Sequence, residues 1–267
     1  MRYFAPPRES VDPMVFARWP LCGWAQFADW IEGTRWPDID ELNAARPADQ
    51  RERFVAQTQA LLDDGLHYEQ RIAERGEIAT REANWHDLFN AMAWLRYPAL
   101  KRALNAQQML EIARMGTRER SRAQYAMTHF DEAGVLVVLH DRSLLELWDA
   151  HDWYGLFWRE RSAWRDGRAT VQVFGHALLE HALTPAKLLV GKALVLLGPA
   201  DAEQAVAACA EAIAAGQVLR DPLELRPLPL SGLPGWHAQS ELEAFHRHAE
   251  CYQPRREGRA YPPPLQR

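Results

Sequence analysis

The chain has 267 residues, 48% of them hydrophobic and 25% charged, which is typical of one large or two small soluble globular domains. A formal net charge of -5 argues against generic binding to nucleic acid or to an anionic membrane. Three widely spaced cysteines, no signal-peptide pattern at the N-terminus and no apolar run of membrane-spanning length predict a cytoplasmic protein.

The first half of the sequence is predicted to be almost wholly helical. Apolar periodicity predicts helices over residues 15–31 (interrupted at Pro20), 48–62, 68–75, 84–95 and 99–115. Gly76 is placed to end the third of these helices, and Pro98 is placed at the first turn of the last. A helical N-terminal half follows from these patterns.

The second half mixes strands and helices. Apolar runs at 125–130 and 135–139, on either side of residues 131–134, predict a hairpin. Further patterns predict helices at 143–150, onward to Trp164, and at 176–183, 201–215 and 240–251, strands at 170–174 and 193–197, and a structured loop at 225–236. A strand followed by a helix occurs twice in succession, which indicates parallel pairing.

Together these elements predict an α+β, predominantly helical fold. The helical part (about 14–123) would pack on a small mixed β-sheet with flanking helices (about 124–252). Residues 1–252 would form a single globular domain, and the Pro/Arg-rich tail 253–267 would be mobile or draped over the surface.

Polar and aromatic residues are interleaved in residues 81–97, whereas an ordinary amphipathic helix separates them. Asn84 occupies an N-cap position, and Asp87 lies in the first turn, where a carboxylate suits the helix dipole. His86 and Asn90 are four residues apart and share a face. They are expected to form either a buried hydrogen-bonded pair or a pair that faces a ligand.

A second candidate cluster begins at His176, between a predicted strand and a predicted helix, where α/β sheets place ligands. His176 and Glu180 share a helix face, so they suit one metal ion, a base with its orienting carboxylate, or a local hydrogen bond. Asp131, in the predicted hairpin turn, would either face a pocket or serve the turn alone.

Residues near the C-terminus include further metal-ligand types, at His246, His248 and Cys251. On one helix, positions 248 and 251 share a face and position 246 does not, so a structural zinc site is one interpretation. The sequence contains no GxSxG, P-loop, GxGxxG or kinase-type motif, which argues against the commonest nucleotide and acyl-transfer folds.

Four separated segments resemble a known family. They are RxxNWHDLFNAMAWLRYPxLKxxLN at 81–105, FDEAG at 130–134, FGHALLE at 174–180 and PLPLSGLPGW at 227–236. In this order they resemble the bacterial domain of unknown function 3025 family, over roughly residues 65–255. The resemblance implies one folded unit of a bacterial protein, and it brings no established activity, substrate or cofactor.

The functional hypothesis is a hydrolase-type enzyme in which His86, Asn90, Asp131, His176 and Glu180 converge on one pocket. His86, His176 and Glu180 would hold a divalent metal; without metal, His176 would act as the base and Glu180 would orient it. Two alternatives remain open. One is a small-molecule-binding protein without turnover, which uses the Trp-rich stretches 19–36 and 148–164, and the other is a protein-interaction module.

Overall fold

The N-terminal region consists of short helical turns around a two-stranded sheet, in a computed structural model that describes residues 3–116 and 119–266. Its elements are 3-10 turns at Arg8–Ser10, Pro13–Val15 and Leu21–Phe27, helices α1 (Ala28–Ile31), α2 (Ile39–Ala44), α3 (Gln59–Leu62) and α4 (Tyr68–Arg75), and strands β1 (Arg53–Ala56) and β2 (Glu77–Thr80). The helix predicted over 15–31 is therefore reduced to short pieces that follow Pro20, which has no amide hydrogen to donate.

The helix predicted over 48–62 is wrong in its central part. Strand β1 pairs with β2 in parallel, with Phe54 opposite Ile78, and both of these side chains are buried. A four-residue strand gives too short an alternation to outweigh local helical periodicity, and contacts with other elements stabilise it: the pairing with β2 and two hydrogen bonds between the Asn43 side chain and the backbone of Phe54. By contrast, α4 ends at Gly76 as predicted, with a φ of 65° in the left-handed region.

Three long helices follow, and two of them confirm the sequence predictions. Helix α5 (Trp85–Arg96) begins after Asn84, whose side chain accepts the Asp87 N–H at 3.1 Å. Helix α6 (Pro98–Met115) starts with Pro98 in its first turn. Helix α5 is buried on nearly all sides, so its aromatic residues belong to the core.

The hairpin predicted around residues 131–134 is wrong. Residues Arg122–Ala133 form helix α7, which a capping box between Ser121 and Gln124 starts, and strand β3 (Gly134–Leu139) follows directly. A Cβ atom at Gly134 would lie 2.2 Å from the carbonyl oxygen of Phe130, so the abrupt change from helix to strand requires glycine. Asp131 therefore lies on the last turn of a helix.

The main sheet is mixed, as expected. Besides β3 it contains β4 (Ala169–Val173), β5 (Val190–Leu197), β6 (Arg226–Pro229) and β7 (Leu265–Gln266), in the order β4-β3-β5-β6, with β7 also paired to β5. Strands β3 and β5 are parallel, and β4 runs antiparallel to β3. The two strands of the predicted strand-then-helix units, β4 and β5, lie on opposite sides of β3 and run in opposite directions. The parallel pair is instead formed by β3 and β5.

The remaining helices surround this sheet. They are α8 (Arg142–Asp149), a π-helical turn at Gly155–Arg159, α9 (Arg161–Arg165), α10 (His176–Ala182), α11 (Ala202–Ala214) and α12 (Glu243–His248). Helix α12 is shorter than predicted, and the loop predicted over 225–236 contains β6. The tail lies against the sheet through β7. No helix in the described ranges is long and apolar enough to cross a membrane.

The architecture is α+β and predominantly helical, as predicted. One core cluster joins the two halves, because Phe89 and Trp94 of α5, Phe130 of α7, Phe174 after β4 and Leu179 of α10 all belong to it. Helices α5, α7 and α10 thus meet where the helical half contacts the sheet. The assignment of residues 1–252 to a single domain stays a prediction.

Candidate functional site

Four of the five predicted site residues meet where α5, α7 and α10 converge. A close approach between two chain segments produces this arrangement. A Cβ atom at Gly175 would lie 2.4 Å from the backbone nitrogen of Gly134, so the start of α10 lies directly against the end of α7. The contact brings His176, the first residue of α10, close to Asp131.

The two histidines face each other. Nε2 of His176 lies 3.0 Å from Nε2 of His86, and the two ring planes are inclined by 78°. On the far side of each ring lies a carboxylate: Glu180 Oε2 is 3.0 Å from Nδ1 of His86, and Asp131 Oδ2 is 3.8 Å from Nδ1 of His176. The result is a continuous row, Glu180–His86–His176–Asp131, which we call the histidine row.

The two histidines have pKa values displaced in opposite directions. The hydrogen bond from His86 to the Glu180 carboxylate raises the pKa of His86. Burial lowers the pKa of His176 to about 3, although the charge of Asp131 opposes this effect. A protonated His86 donates from both ring nitrogens, to Glu180 and to His176. His176 then accepts at Nε2 and carries its own hydrogen on Nδ1, toward Asp131, so each ring nitrogen in the row has a compatible role.

Lys101 on α6 extends the row, and the sequence hypothesis did not include it. Its Nζ donates to Asp131 Oδ1 at 2.6 Å and to Asn90 Oδ1 at 2.7 Å, and Asn90 in turn donates to the Tyr68 hydroxyl at 2.8 Å. Only 4% of the Lys101 side chain is exposed. Burial alone would raise the pKa of Asp131, but the charges of Lys101 and His176 lower it below its usual range.

Asn90 therefore joins the site indirectly, through Lys101 and Asp131, while it shares a face of α5 with His86. The signal for Lys101 was weak. It is one of three lysines among 31 basic residues, and it shares its buried face of α6 with Leu104, Asn105 and Gln108. A lysine within a helix is ordinarily solvent-exposed, and only the packing of α6 against neighbouring elements buries this one.

Two cavities meet at His86. The first, which we call the inner chamber, has a volume of about 350 Å³, and its lining includes Tyr68, Lys101, Asn105, Gln108, Asp131 and His176. The second, the outer cleft, has a volume of about 760 Å³ and lies between the N-terminal segment 3–9 and the exposed side of His86 and Glu180. Such volumes are typical of sites for small molecules. His86 is the side chain of the row that borders both spaces.

At the zinc site considered for His246, His248 and Cys251, both ring nitrogens of His246 already form hydrogen bonds. Nδ1 of His246 lies 2.8 Å from the Tyr252 hydroxyl, and its Nε2 lies 2.7 Å from the carbonyl oxygen of Ser240. These two hydrogen bonds explain how a buried histidine is accommodated there. The cluster is therefore structural in this fold.

A divalent metal at His86, His176 and Glu180 is not supported by the geometry. Glu180 and His176 contact opposite ring nitrogens of His86, so the three side chains do not point at one centre. Across residues 3–116 and 119–266, no group of three or more His, Cys, Asp or Glu side chains is arranged to hold a metal ion. The metal hypothesis stays a prediction.

Most tryptophans of the two Trp-rich stretches contribute to the core. Trp24, Trp148 and Trp153 are buried, and Trp19, at 45%, is the exposed one among the described tryptophans. The ring of Trp19 stacks on Trp236 with centroids 5.1 Å apart. A broad aromatic platform for a flat ligand or a partner protein is therefore not formed by these stretches.

Fold and site define an α+β protein in which three helices enclose two histidines, two carboxylates and a buried lysine beside a polar cavity. Residues 52–256 match the model of the family described as Protein of unknown function (DUF3025), and the chain belongs to this family. The matched region contains every residue of the histidine row, together with Lys101, Asn90 and Tyr68. No curated protein and no solved structure matches the chain.

Proposed function

We propose that the protein is a hydrolase that transfers protons through His86 and His176 and acts on a small polar molecule. One observation carries the proposal: two histidines share a 3.0 Å N–N contact while their pKa values are displaced in opposite directions. Paired titratable groups whose environments separate their pKa values are typical of an acid and a base in one active site.

In this proposal His86 is the general acid and His176 the general base. Substrate and water first separate the two Nε2 atoms; His176 then takes a proton from water at Nε2, the hydroxide formed attacks the substrate, and His86 gives its Nε2 proton to the leaving group. When the rings regain their 3.0 Å contact, transfer of the acquired proton from His176 to His86 restores the starting state. Atoms and charges balance over this cycle without a further reactant.

The surrounding groups orient the pair. Glu180 fixes the ring of His86 and favours its protonated form, since a carboxylate beside an imidazole stabilises the cation. Asp131 lies beside Nδ1 of His176 and is itself held by Lys101. The pairing expected from the sequence, with Glu180 orienting His176, is thus replaced by Glu180 on His86 and Asp131 on His176.

The test is a comparison of hydrolysis by the wild-type protein and the variants His86→Gln and His176→Gln. Chromogenic carboxylic esters, phosphate esters, glycosides and anilides cover the main reaction classes. We expect turnover of at least one class by the wild type, and a loss of about 100-fold or more in each variant, as is typical for removal of a general acid or base. His129→Gln, at an exposed position of α7 that lines neither cavity, is the matched control and should keep its activity.

Two results would contradict the proposal. One is an activity that both His86→Gln and His176→Gln retain; the other is a wild-type protein that turns over none of the four classes. Metal analysis of protein purified without a His tag tests the metal version separately. Stoichiometric divalent metal that is lost in His86→Gln would replace the acid–base mechanism with a metal-assisted one.

A further inference from the structure

The strong charges that line the inner chamber are largely neutralised within the protein. Arg81 donates to both carboxylate oxygens of Asp87, at 3.0 and 2.7 Å, and also through its backbone N–H at 2.6 Å. Lys101 is paired with Asp131 at 2.6 Å. These two ion pairs leave no net charge on this part of the wall.

Glu69 is a further carboxyl group of the chamber wall. Its carboxyl accepts a 2.6 Å hydrogen bond from the side-chain amide of Asn105, and burial raises its pKa. Two further charged lining residues, Arg120 and Glu132, form no ion pair within 4 Å among the described residues, although the charge of Arg120 acts on Glu69. Outside the two histidines the wall thus has three basic and four acidic side chains, so its net charge is no larger than -1.

Hydrogen-bonding groups, in contrast, remain available. The Gln57 side chain makes no hydrogen bond to any described residue, and the Gln108 amide makes one long bond, of 3.5 Å, to the carbonyl oxygen of Gln124. The nitrogen of the Asn105 amide is used by Glu69, which leaves its oxygen toward the cavity. Nδ1 of His176 is buried with no partner within hydrogen-bond distance. Gln57 is exposed and can exchange water for a ligand, whereas the buried groups of Asn105, Gln108 and His176 require partners.

We propose that the inner chamber binds a neutral small molecule rich in hydroxyl or amide groups, held by Gln57, Asn105 and Gln108 beside Lys101. Beside Gln108, Asn105 and Lys101 a charged ligand would meet the Lys101–Asp131 pair, whose charges are already matched, and it would lose its hydration there without a new partner. A neutral ligand would satisfy the amides at no such cost. The inference rests on the proposed function, since the molecule bound there would be its substrate.

The experiment measures binding rather than turnover. Matched sets of probes keep one ring and replace one substituent so that the charge changes: glucose, glucuronate and glucosamine form one set, and nicotinamide, nicotinate and 3-aminomethylpyridine form another. Ligand-observed and protein-observed NMR on the full chain report binding. Gln108→Leu removes one chamber amide, and Gln107→Leu is the matched control on α6, because its amide donates outside the chamber, to the carbonyl oxygen of Ala214.

We expect the neutral member of at least one set to bind about tenfold or more tightly than its charged counterparts. Gln108→Leu should weaken that binding, and Gln107→Leu should leave it unchanged. Tighter binding of a charged member, binding that is insensitive to Gln108→Leu, or no binding by glucose and nicotinamide would each overturn the inference. Failure of the proposed function is distinguishable, because selective binding by the neutral probe would then persist without turnover of any chromogenic substrate.

Discussion

Replacing Asp131 with asparagine tests whether Lys101 is held as a buried cation. The change keeps the size of the side chain and removes the only carboxylate within 4 Å of the Lys101 ammonium among the described residues, at 2.6 Å. Loss of one partner from a buried ion pair costs about 3–5 kcal/mol, because the other charge remains buried without compensation. The Asp131 side chain keeps 27% exposure toward the cavity, and asparagine retains an acceptor oxygen, so we expect the lower end, about 3 kcal/mol.

Urea denaturation, followed by circular dichroism and Trp fluorescence, measures the loss. The full set is a double-mutant cycle with Asp131→Asn, Lys101→Met and the two changes together. Because the double variant leaves no unpaired buried charge, it should be more stable than the sum of the two single changes predicts, with a coupling of about 2 kcal/mol.

The matched control is Glu111→Gln on α6, which breaks the Arg114–Glu111 pair at the surface, where Arg114 is 64% exposed. Exposed pairs are typically worth less than about 1 kcal/mol. If Asp131→Asn cost no more than Glu111→Gln, or if the cycle gave no coupling, the argument that Lys101 depends on Asp131 would be refuted.

Three further changes probe the fold and the site. His176→Gln should flatten the acid dependence of the free energy of unfolding. His176 has a pKa of about 3 in the folded state, so below the higher pKa of the unfolded chain only the unfolded state binds the extra proton, and the wild-type free energy of unfolding falls by up to about 1.4 kcal/mol per pH unit. Urea titrations from pH 7 to 4 that gave parallel pH dependences for the wild type and the variant would contradict this. Asn84→Ala removes the N-cap of α5 and should cost about 1 kcal/mol by the same assay, whereas an unchanged midpoint would show that the cap is dispensable. Tyr3→Ala removes the hydrogen bond from the Tyr3 hydroxyl to the Glu180 carbonyl oxygen. It should speed the modification of His86 by diethyl pyrocarbonate. An unchanged rate would show that the N-terminal segment 3–9 does not shield the outer cleft.

Local sequence signals were sufficient where one residue decides the local structure. Asn84 caps α5, Pro98 opens α6, and the succession of strand β4 and helix α10 places His176 at a helix start. Two of these results, the cap of α5 and the start of α10, lie beside His86 and His176, which are ninety residues apart. The two side chains meet because their helices share one core with Phe130 and Phe174.

The sequence predictions failed where a competing local signal or a contact between distant residues decides the structure. Residues 131–134 contain acidic and small residues and a glycine that favour a turn, but the α7 capping box at Ser121 and the tight junction at Gly134 produce a helix and then a strand with no turn between them. Strand β1 depends on β2, which lies more than twenty residues later in the chain. Lys101 escaped notice because no local pattern reveals that a lysine has been buried by three-dimensional packing.

The interleaved polar residues of α5 now have a physical explanation. Because α5 is buried on nearly all sides, each polar residue on it must find a partner on a different neighbour. His86 meets Glu180 and His176 of α10, and one turn later Asn90 meets Lys101 of α6. His86 therefore joins the site through its contacts with α10, and Asn90 joins it through Lys101 of α6.

That arrangement is costly for a core helix. Buried ion pairs and histidines can often be replaced by well-packed apolar side chains without loss of stability, so stability alone does not account for such a row. The site instead combines five features: a buried histidine with a lowered pKa, a second one beside it with a raised pKa, a carboxylate behind each, a lysine that holds one carboxylate, and a cavity against them all. Proton transfer would use each of these features, which is why we propose the contact between His86 and His176 as the active centre.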